Sequence, residues 1–278
     1  MSIILEFLAN LLSIKAALAA AVIFIPLQLA LPLRVGQKQF RQGWKNDLVY
    51  LFLNGLVIKI GLALIIVLIV TLSEHIIPLS LRDWIASQPS WIQIIELIIF
   101  ADLGFYSAHR LFHTIPFLWK FHAVHHSIEE LDWLAAFRVH PVDQILTKGF
   151  SLAPCFALGF SEWAIATFAV IYYWHSLLLH SNVRLRFGPV RWLVTLPDVH
   201  HWHHSNQPEA YNKNFSAQTP LWDLVFRTAY MPKGQIPSSY GTSEPVPSTY
   251  VRQLLYPFAG KRQGQPSKAS TAGAPPIA

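Results

Sequence analysis

Long uncharged stretches alternate with short charged ones along the chain. Residues 16–33, AALAAAVIFIPLQLALPL, carry no charge over 18 positions, enough for one helix to cross a bilayer. The preceding MSIILEFLANLLSIK sets Glu6 ahead of Lys15 and lacks the short basic start of a secretory signal, which predicts an uncleaved anchor. A second span is predicted over 48–72, interrupted only by Asn54 and Lys59, and a third over about 91–108, WIQIIELIIFADLGFYSA. A fourth apolar region, about 145–180, has room for two spans or a helical hairpin. Pro154, Gly159 and Ser161 near its middle suit a turn.

The polar intervals orient these spans. Arg34, Lys38, Arg41 and Lys45 crowd the loop 34–47, whereas Arg82 is the only basic residue of the loop 73–90. Cationic loops stay in the cytosol. Counting spans then assigns 109–144 to the cytosolic side, and a hairpin at 145–180 returns 181–278 there with ten more Lys and Arg. After about residue 258 the sequence GKRQGQPSKASTAGAPPIA has no apolar period and reads as disordered. The predicted fold is all-α: an integral membrane helical bundle of about four to five membrane helices under a cytosolic helical cap. It divides into an anchor with its basic loop (1–47), a main helical domain (48–258) and the tail (259–278).

Composition agrees with the span pattern. The chain is 53% hydrophobic and 13% charged, with a mean hydropathy of +0.37, where a soluble domain carries roughly 25% charged residues. A single cysteine, Cys155, excludes an internal disulfide framework and a cysteine-ligated iron–sulfur cluster. The net charge of +6 comes from residues that flank the apolar spans. That fits a membrane surface, and no nucleic-acid partner is expected.

The chemistry lies in the histidines. Thirteen are present, and all but His75 lie between 109 and 204. HRLFH holds His109 and His113. HAVHHS holds His122, His125 and His126, and HHWHHS repeats that spacing with His200, His203 and His204. At about 100° per residue, each triplet occupies one helical arc about 100° wide. His201 falls outside the arc, which predicts an exposed or phosphate-facing side chain. Trp202 falls on the back, where it would anchor the cap by packing. Neutral imidazoles converging on one face suit a transition metal. Eight such residues are too many for one ion; two metals at about four histidines each leave positions open for a small molecule. All-nitrogen ligation does not by itself separate iron from zinc.

Other residues surround the boxes. Asp102, Tyr106, His109 and His113 share one helical stripe. Asp102 is therefore expected to orient a ligand ring, directly or through Tyr106 and water. His180 ends an apolar helix on the cytosolic side and is a candidate ligand; His175, five residues earlier, lies off the ideal face. His140 precedes Pro141, is expected to be extended, and is given a site role around the metal rather than on it. His75 is expected at the surface. Lys59, inside a span, is expected to snorkel or meet a lipid headgroup.

In this order DLGFYSAHRLFH, HAVHHS, RVHP, LHSNVR and HHWHHS resemble the fatty acid hydroxylase superfamily, also called the sterol desaturase family, over about residues 45–230. The resemblance implies an integral membrane di-iron oxygenase of a bacterial inner membrane or the ER membrane. Such an enzyme uses dioxygen and two electrons to hydroxylate or desaturate a lipid of sterol, sphingolipid, fatty acyl or carotenoid type. The resemblance implies His109, His113, His122, His125, His126, His200, His203 and His204 as ligands of two iron ions. His180 best matches the histidine that the family supplies between the second and third boxes. Some members space a pair there as H-x3-H, whereas His175 and His180 are H-x4-H. Some members also carry a fused cytochrome b5 domain marked by H-P-G-G, a motif not found in this sequence. The electron donor is therefore expected to be separate: a reductase, a ferredoxin or a cytochrome b5-like protein. Arg110, Lys120, Arg184 and Arg186 would steer an acidic donor or hold lipid phosphates.

Two other readings compete. A di-zinc membrane hydrolase needs a general-base glutamate; the first box reads H-R-L-F-H rather than H-E-x-x-H, and no motif assigns that role to Glu129 or Glu130. A non-catalytic metal-binding membrane protein predicts polar residues along several spans, and these spans have few.

Overall fold

Prolines and glycines set where the helices start and stop. The computed structural model describes residues 14–185 and 187–259. In chain order the α-helices are α1 (Ile14–Ala30), α2 (Trp44–Ile76), α3 (Leu79–Ser87), α4 (Ser90–Thr114), α5 (Pro116–His126), α6 (Pro141–Ala157), α7 (Glu162–His180), α8 (Pro197–His203), α9 (Leu221–Val225) and α10 (Tyr250–Leu255). Pro116, Pro141 and Pro197 open their helices at the first turn, where the missing N–H costs nothing and φ is preset. Among the described residues there is no strand, only the isolated bridges Pro32–Val183 and Ser205–Tyr240.

The fourth apolar region is two helices. α6 stops at Ala157, Gly159 turns with φ +82°, and the Ser161 hydroxyl caps α7 by accepting the Ala164 N–H at 3.3 Å. The third predicted span extends six residues further than expected, to Thr114, because nothing breaks the helix before Pro116. His109 and His113 therefore stand on the same helix as the apolar span, at its end. Residues 1–13 of the predicted anchor, the predicted tail beyond Ala259, and Arg186 lie outside the described residues.

Val57–Ile76 and Ser90–Thr114 are long and apolar enough to cross a membrane; the apolar helix Lys15–Ala30 is shorter. Their outer faces expose Val22, Leu29, Val57, Leu64 and Leu68, a surface a soluble protein would bury. Trp84, Trp91 and Trp163 are exposed together at one end of the bundle. α4 and α6 pack backbone to backbone: a Cβ added at Gly104 would lie 2.1 Å from the Phe150 carbonyl oxygen. Near the tryptophan end the core is Leu97, Ala101, Cys155, Ala164 and Phe168. Near the histidine end it is Phe24, Trp133, Leu134 and Leu177.

The basic loop is not a free cytosolic segment. Arg41 is buried and bonds Asp47 at 2.6 Å and Asp132 at 2.7 Å, while Arg138 closes on Asp47 from the other side. Arg34 bonds the Tyr240 hydroxyl at 3.1 Å and the Pro237 carbonyl. Two of the four loop cations are thus structural: Arg41 supplies the charged partner that buried carboxylates need, and Arg34 is held by a hydroxyl and backbone carbonyls. They stitch the anchor segment into the main domain.

Candidate metal centre

Four helix segments deliver nine imidazoles to one region: the end of α4, the last two turns of α5, the end of α7, and α8 with its first following residue. The side chains form two groups. His109, His113, His122, His126 and His203 make one, and His125, His180, His200 and His204 the other; within each, one nitrogen per residue lies within 4.8 Å of all the rest. The triplet arcs converge as expected but do not stay whole. His125 leaves its neighbours for the second group, and His203 leaves His200 and His204 for the first.

Hydrogen bonds at the outer ring nitrogens settle what the inner ones offer. His125 Nδ1 donates to the Arg138 carbonyl at 3.0 Å and His180 Nδ1 to the Ser176 carbonyl at 2.8 Å. Carbonyls only accept, so both protons sit on Nδ1 and both Nε2 atoms present bare lone pairs, 3.1 Å apart. In the other group, His109 Nδ1 donates to the Phe215 carbonyl at 2.7 Å and His122 Nδ1 to Asp143 Oδ2 at 2.7 Å. Their Nε2 atoms face each other at 2.9 Å. His203 Nδ1 donates to the Lys213 carbonyl at 2.9 Å, and its Nε2 meets that of His126 at 3.0 Å. Lone pairs this close repel unless a cation lies between them. Nitrogens about 2.0–2.1 Å from one ion are themselves about 3 Å apart. Protonation does not supply the cation: burial first, then neighbouring imidazoles, hold His125, His126, His200 and His204 well below the usual imidazole range. The donor set fits two metal ions.

Two carboxylates work one step away from the rings. Asp223 accepts the Phe215 and Ser216 N–H groups at 2.8 Å each. Asp102 accepts those of Ala217, Gln218 and Thr219 at 2.8, 3.0 and 3.0 Å. Five consecutive amides are thus gripped, and the gripped loop turns the Phe215 carbonyl onto His109. Asp102 therefore orients a ring through the backbone and touches no histidine, which corrects the expected contact. Tyr106 is not its relay: the Tyr106 hydroxyl lies 3.0 Å from Thr228 Oγ1 and accepts from Arg110 at 3.2 Å.

Other expectations shift as well. His140 is extended as expected, but it caps α6, accepting the Val142 N–H at 3.2 Å and donating to the Leu254 carbonyl at 3.2 Å. Its ring packs on Phe121 rather than at the metal groups. The carboxylate that reaches a candidate ligand, His122, is Asp143, three residues on, in the first turn of α6. Asp143 and Asp223 were missed; their signal is an acidic residue inside an apolar stretch. His175 stays outside both groups and donates to the Thr195 carbonyl at 2.8 Å. His201 is outside the metal groups too, but it is 0% exposed. Its Nδ1 meets the Tyr240 hydroxyl at 2.7 Å and its Nε2 the Ser181 carbonyl at 3.1 Å. It was expected at the surface; the loop carrying Tyr240 covers it. Trp202 is buried against Tyr230, and His75 is exposed.

A cavity of about 460 Å³ adjoins the histidines. His109, His122, His125, His180 and His200 reach it from both groups, and Ile66, Phe105, Leu152, Phe168 and Leu177 are among its apolar lining. Lys59 borders it, half-buried. Asp143 is the one carboxylate among its lining residues, while Glu129 and Glu130 are absent from them.

Residues 94–228, which include all nine histidines, match the family model described as fatty acid hydroxylase. The chain carries a fatty acid hydroxylase domain. Sequence relatives agree. An ornithine lipid hydroxylase, OlsE, of Rhizobium tropici is 28% identical over 69% of this chain and 58% of its own length. An alkylglycerol monooxygenase of Xenopus tropicalis is 26% identical over 52% of the chain and 32% of its own length. A human cholesterol 25-hydroxylase is 28% identical over 58% and 66%. The chain thus spans about one third to two thirds of the length of these relatives. No solved structure matches this chain.

Proposed function

We propose that this protein is a membrane-bound lipid hydroxylase that carries two iron ions and uses dioxygen with two electrons from a separate donor. The observation that carries the reading is the convergence of bare Nε2 lone pairs in two groups beside one apolar cavity. His109, His113, His122, His126 and His203 would hold one iron, and His125, His180, His200 and His204 the other. When bound, the pair supplies the redox chemistry that lets dioxygen oxidise an unactivated C–H bond. The chain's own groups do the rest. Asp143 and the carbonyls of Phe215, Arg138, Ser176 and Lys213 keep protons on Nδ1, so that each of those ligands stays neutral and correctly turned. The apolar lining receives the lipid and excludes water from the reacting face. Ile60, on the cavity lining and exposed on α2, offers the lipid a way in from the bilayer. The relatives, two hydroxylases and a monooxygenase, favour hydroxylation over desaturation.

Geometry also supports the membrane setting. Trp91 and His109 stand on one helix about 27 Å apart at 1.5 Å per residue, close to the thickness of the hydrocarbon core. With Trp84, Trp91 and Trp163 as an interfacial belt at one end, the histidines come to the opposite interface. We assign that face to the cytosol, where Arg110, Lys120 and Arg184 would meet an acidic donor. A zinc hydrolase lacks its glutamate base at this cavity.

The test is metal analysis with dioxygen uptake on protein expressed with iron, and mass spectrometry of lipids from cells with and without it. We expect close to two irons per chain and a lipid gaining one oxygen atom. Turnover restored by zinc without dioxygen would overturn the reading.

A further inference from the structure

One helix contributes a polar stripe to the cavity wall. Gln144, Thr147, Lys148 and Ser151 of α6 all line it, and their i, i+3, i+4, i+7 spacing sets them in one stripe. The stripe runs on from Asp143, which already holds His122. Thr147 satisfies itself by donating to the Asp143 carbonyl at 2.8 Å. Lys148 does not: among the described residues no carboxylate or hydrogen-bond acceptor meets its ammonium. Lys59, across the cavity wall on α2, is likewise without a partner.

The two lysines stand at neighbouring levels of the cavity wall, Lys148 the deeper. A Cβ on Gly61 would meet Ile145 at 2.4 Å, and one on Gly149 would meet Ile65 at 3.0 Å. α2 and α6 therefore run side by side in the same direction. Lys59 stands near the level of Asp143, and Lys148 lies about 7.5 Å deeper, five residues at 1.5 Å each. An ammonium in an apolar wall is costly unless something pairs with it. The one carboxylate in that wall, Asp143, is engaged by a histidine. A plain hydrocarbon would leave both cations stranded when it filled the cavity and displaced water.

We propose that Lys148, assisted by Lys59, binds an anionic group of the lipid that enters this cavity, a carboxylate or a phosphate. Gln144 and Ser151 flank the anion with hydrogen-bonding groups. The inference rests on the hydroxylase reading in taking this cavity as the substrate's. It adds that the substrate is an anionic amphiphile with its charge close to the reacting carbon. The charge does not sit at the remote end of a long chain, because Lys148 is about one and a half helical turns from Asp143, the histidines' own support.

The experiment is a binding measurement, not turnover. Full-length protein in a nonionic detergent, with its iron content recorded, is titrated with dodecanoate, dodecyl phosphate and dodecanol, each displacing a fluorescent fatty alcohol. Wild type is expected to bind at least one anion about tenfold or more tightly than dodecanol. Lys148→Gln should erase that preference and leave dodecanol binding unchanged, and Lys148→Arg should keep it. The favoured anion tells a carboxylate lipid from a phospholipid. Equal binding of all three probes by wild type would overturn the proposal even if Lys148→Gln failed to fold. So would a preference that survives Lys148→Gln. Absence of iron or of dioxygen uptake would count against the hydroxylase reading alone, since the anion preference is read without either.

Discussion

Asp102→Asn perturbs the metal centre through the backbone. Asp102 Oδ1 takes the Ala217 and Gln218 amides at 2.8 and 3.0 Å, and Oδ2 takes Thr219 at 3.0 Å. Asparagine keeps one oxygen. With that oxygen on the Oδ1 side, its NH₂ confronts the Thr219 N–H, donor against donor. A buried donor left unmet costs about 1–3 kcal/mol, and the two retained bonds weaken on losing the negative charge, for roughly 1 kcal/mol more. The loop 215–219 therefore loses about 2–4 kcal/mol of local support. The Phe215 carbonyl loosens from His109 Nδ1, now 2.7 Å away. Losing such an outer support lowers metal affinity about 10- to 100-fold. His109 belongs to the five-histidine group alone, so the effect should be one-sided. In a chelator titration read by elemental analysis, one metal equivalent should leave the variant at about tenfold lower chelator, and the other should leave as in wild type. The thermal midpoint should fall in parallel. If both equivalents leave together at the wild-type concentration, Asp102 is an interfacial charge and the loop-clamp reasoning is wrong.

Three further outcomes follow from the same packing. His201→Arg should cost about 3–5 kcal/mol, because it puts a charge into a fully buried site with both ring nitrogens already bonded; a wild-type thermal midpoint would refute this. Trp202→Ala should cost about 3–5 kcal/mol through lost packing on Tyr230, while the protein that does fold keeps wild-type metal content; loss of metal from a folded variant would contradict it. Metal-free protein should lose stability on acidification. His125, His126, His200 and His204 have depressed values in the fold, so below about pH 6.5 the unfolded chain takes up protons that the folded chain refuses. Stability is then present above that pH and lost below it, and a flat melting profile between pH 8 and pH 5 would count against buried neutral imidazoles.

The helices and the boxes were legible because both are local. Apolar runs, prolines at helix starts and i, i+3, i+4 spacings act within one element, and the chain from Pro116 to His126 dictates its own face. His180 could be singled out because it ends a helix. Partners far along the chain were not legible. The sequence could not say that His125, between His122 and His126, joins the other group, since that depends on where α7 and α8 cross α5. It could not say that Asp102 reaches residues 217–219, which lie 115 to 117 positions away, or that Asp143 rather than His140 supports a ligand. The helical arc excluded His201 from the metal groups but could not anticipate Tyr240, 39 residues on, closing over it. Charge counting read Arg41 as a loop cation, and only the fold supplied Asp47 and Asp132 around it. Periodicity fixes which way a side chain leaves its own helix. What it meets there depends on how helices distant in sequence pack, because burial and the pairing of buried polar groups are satisfied only between elements.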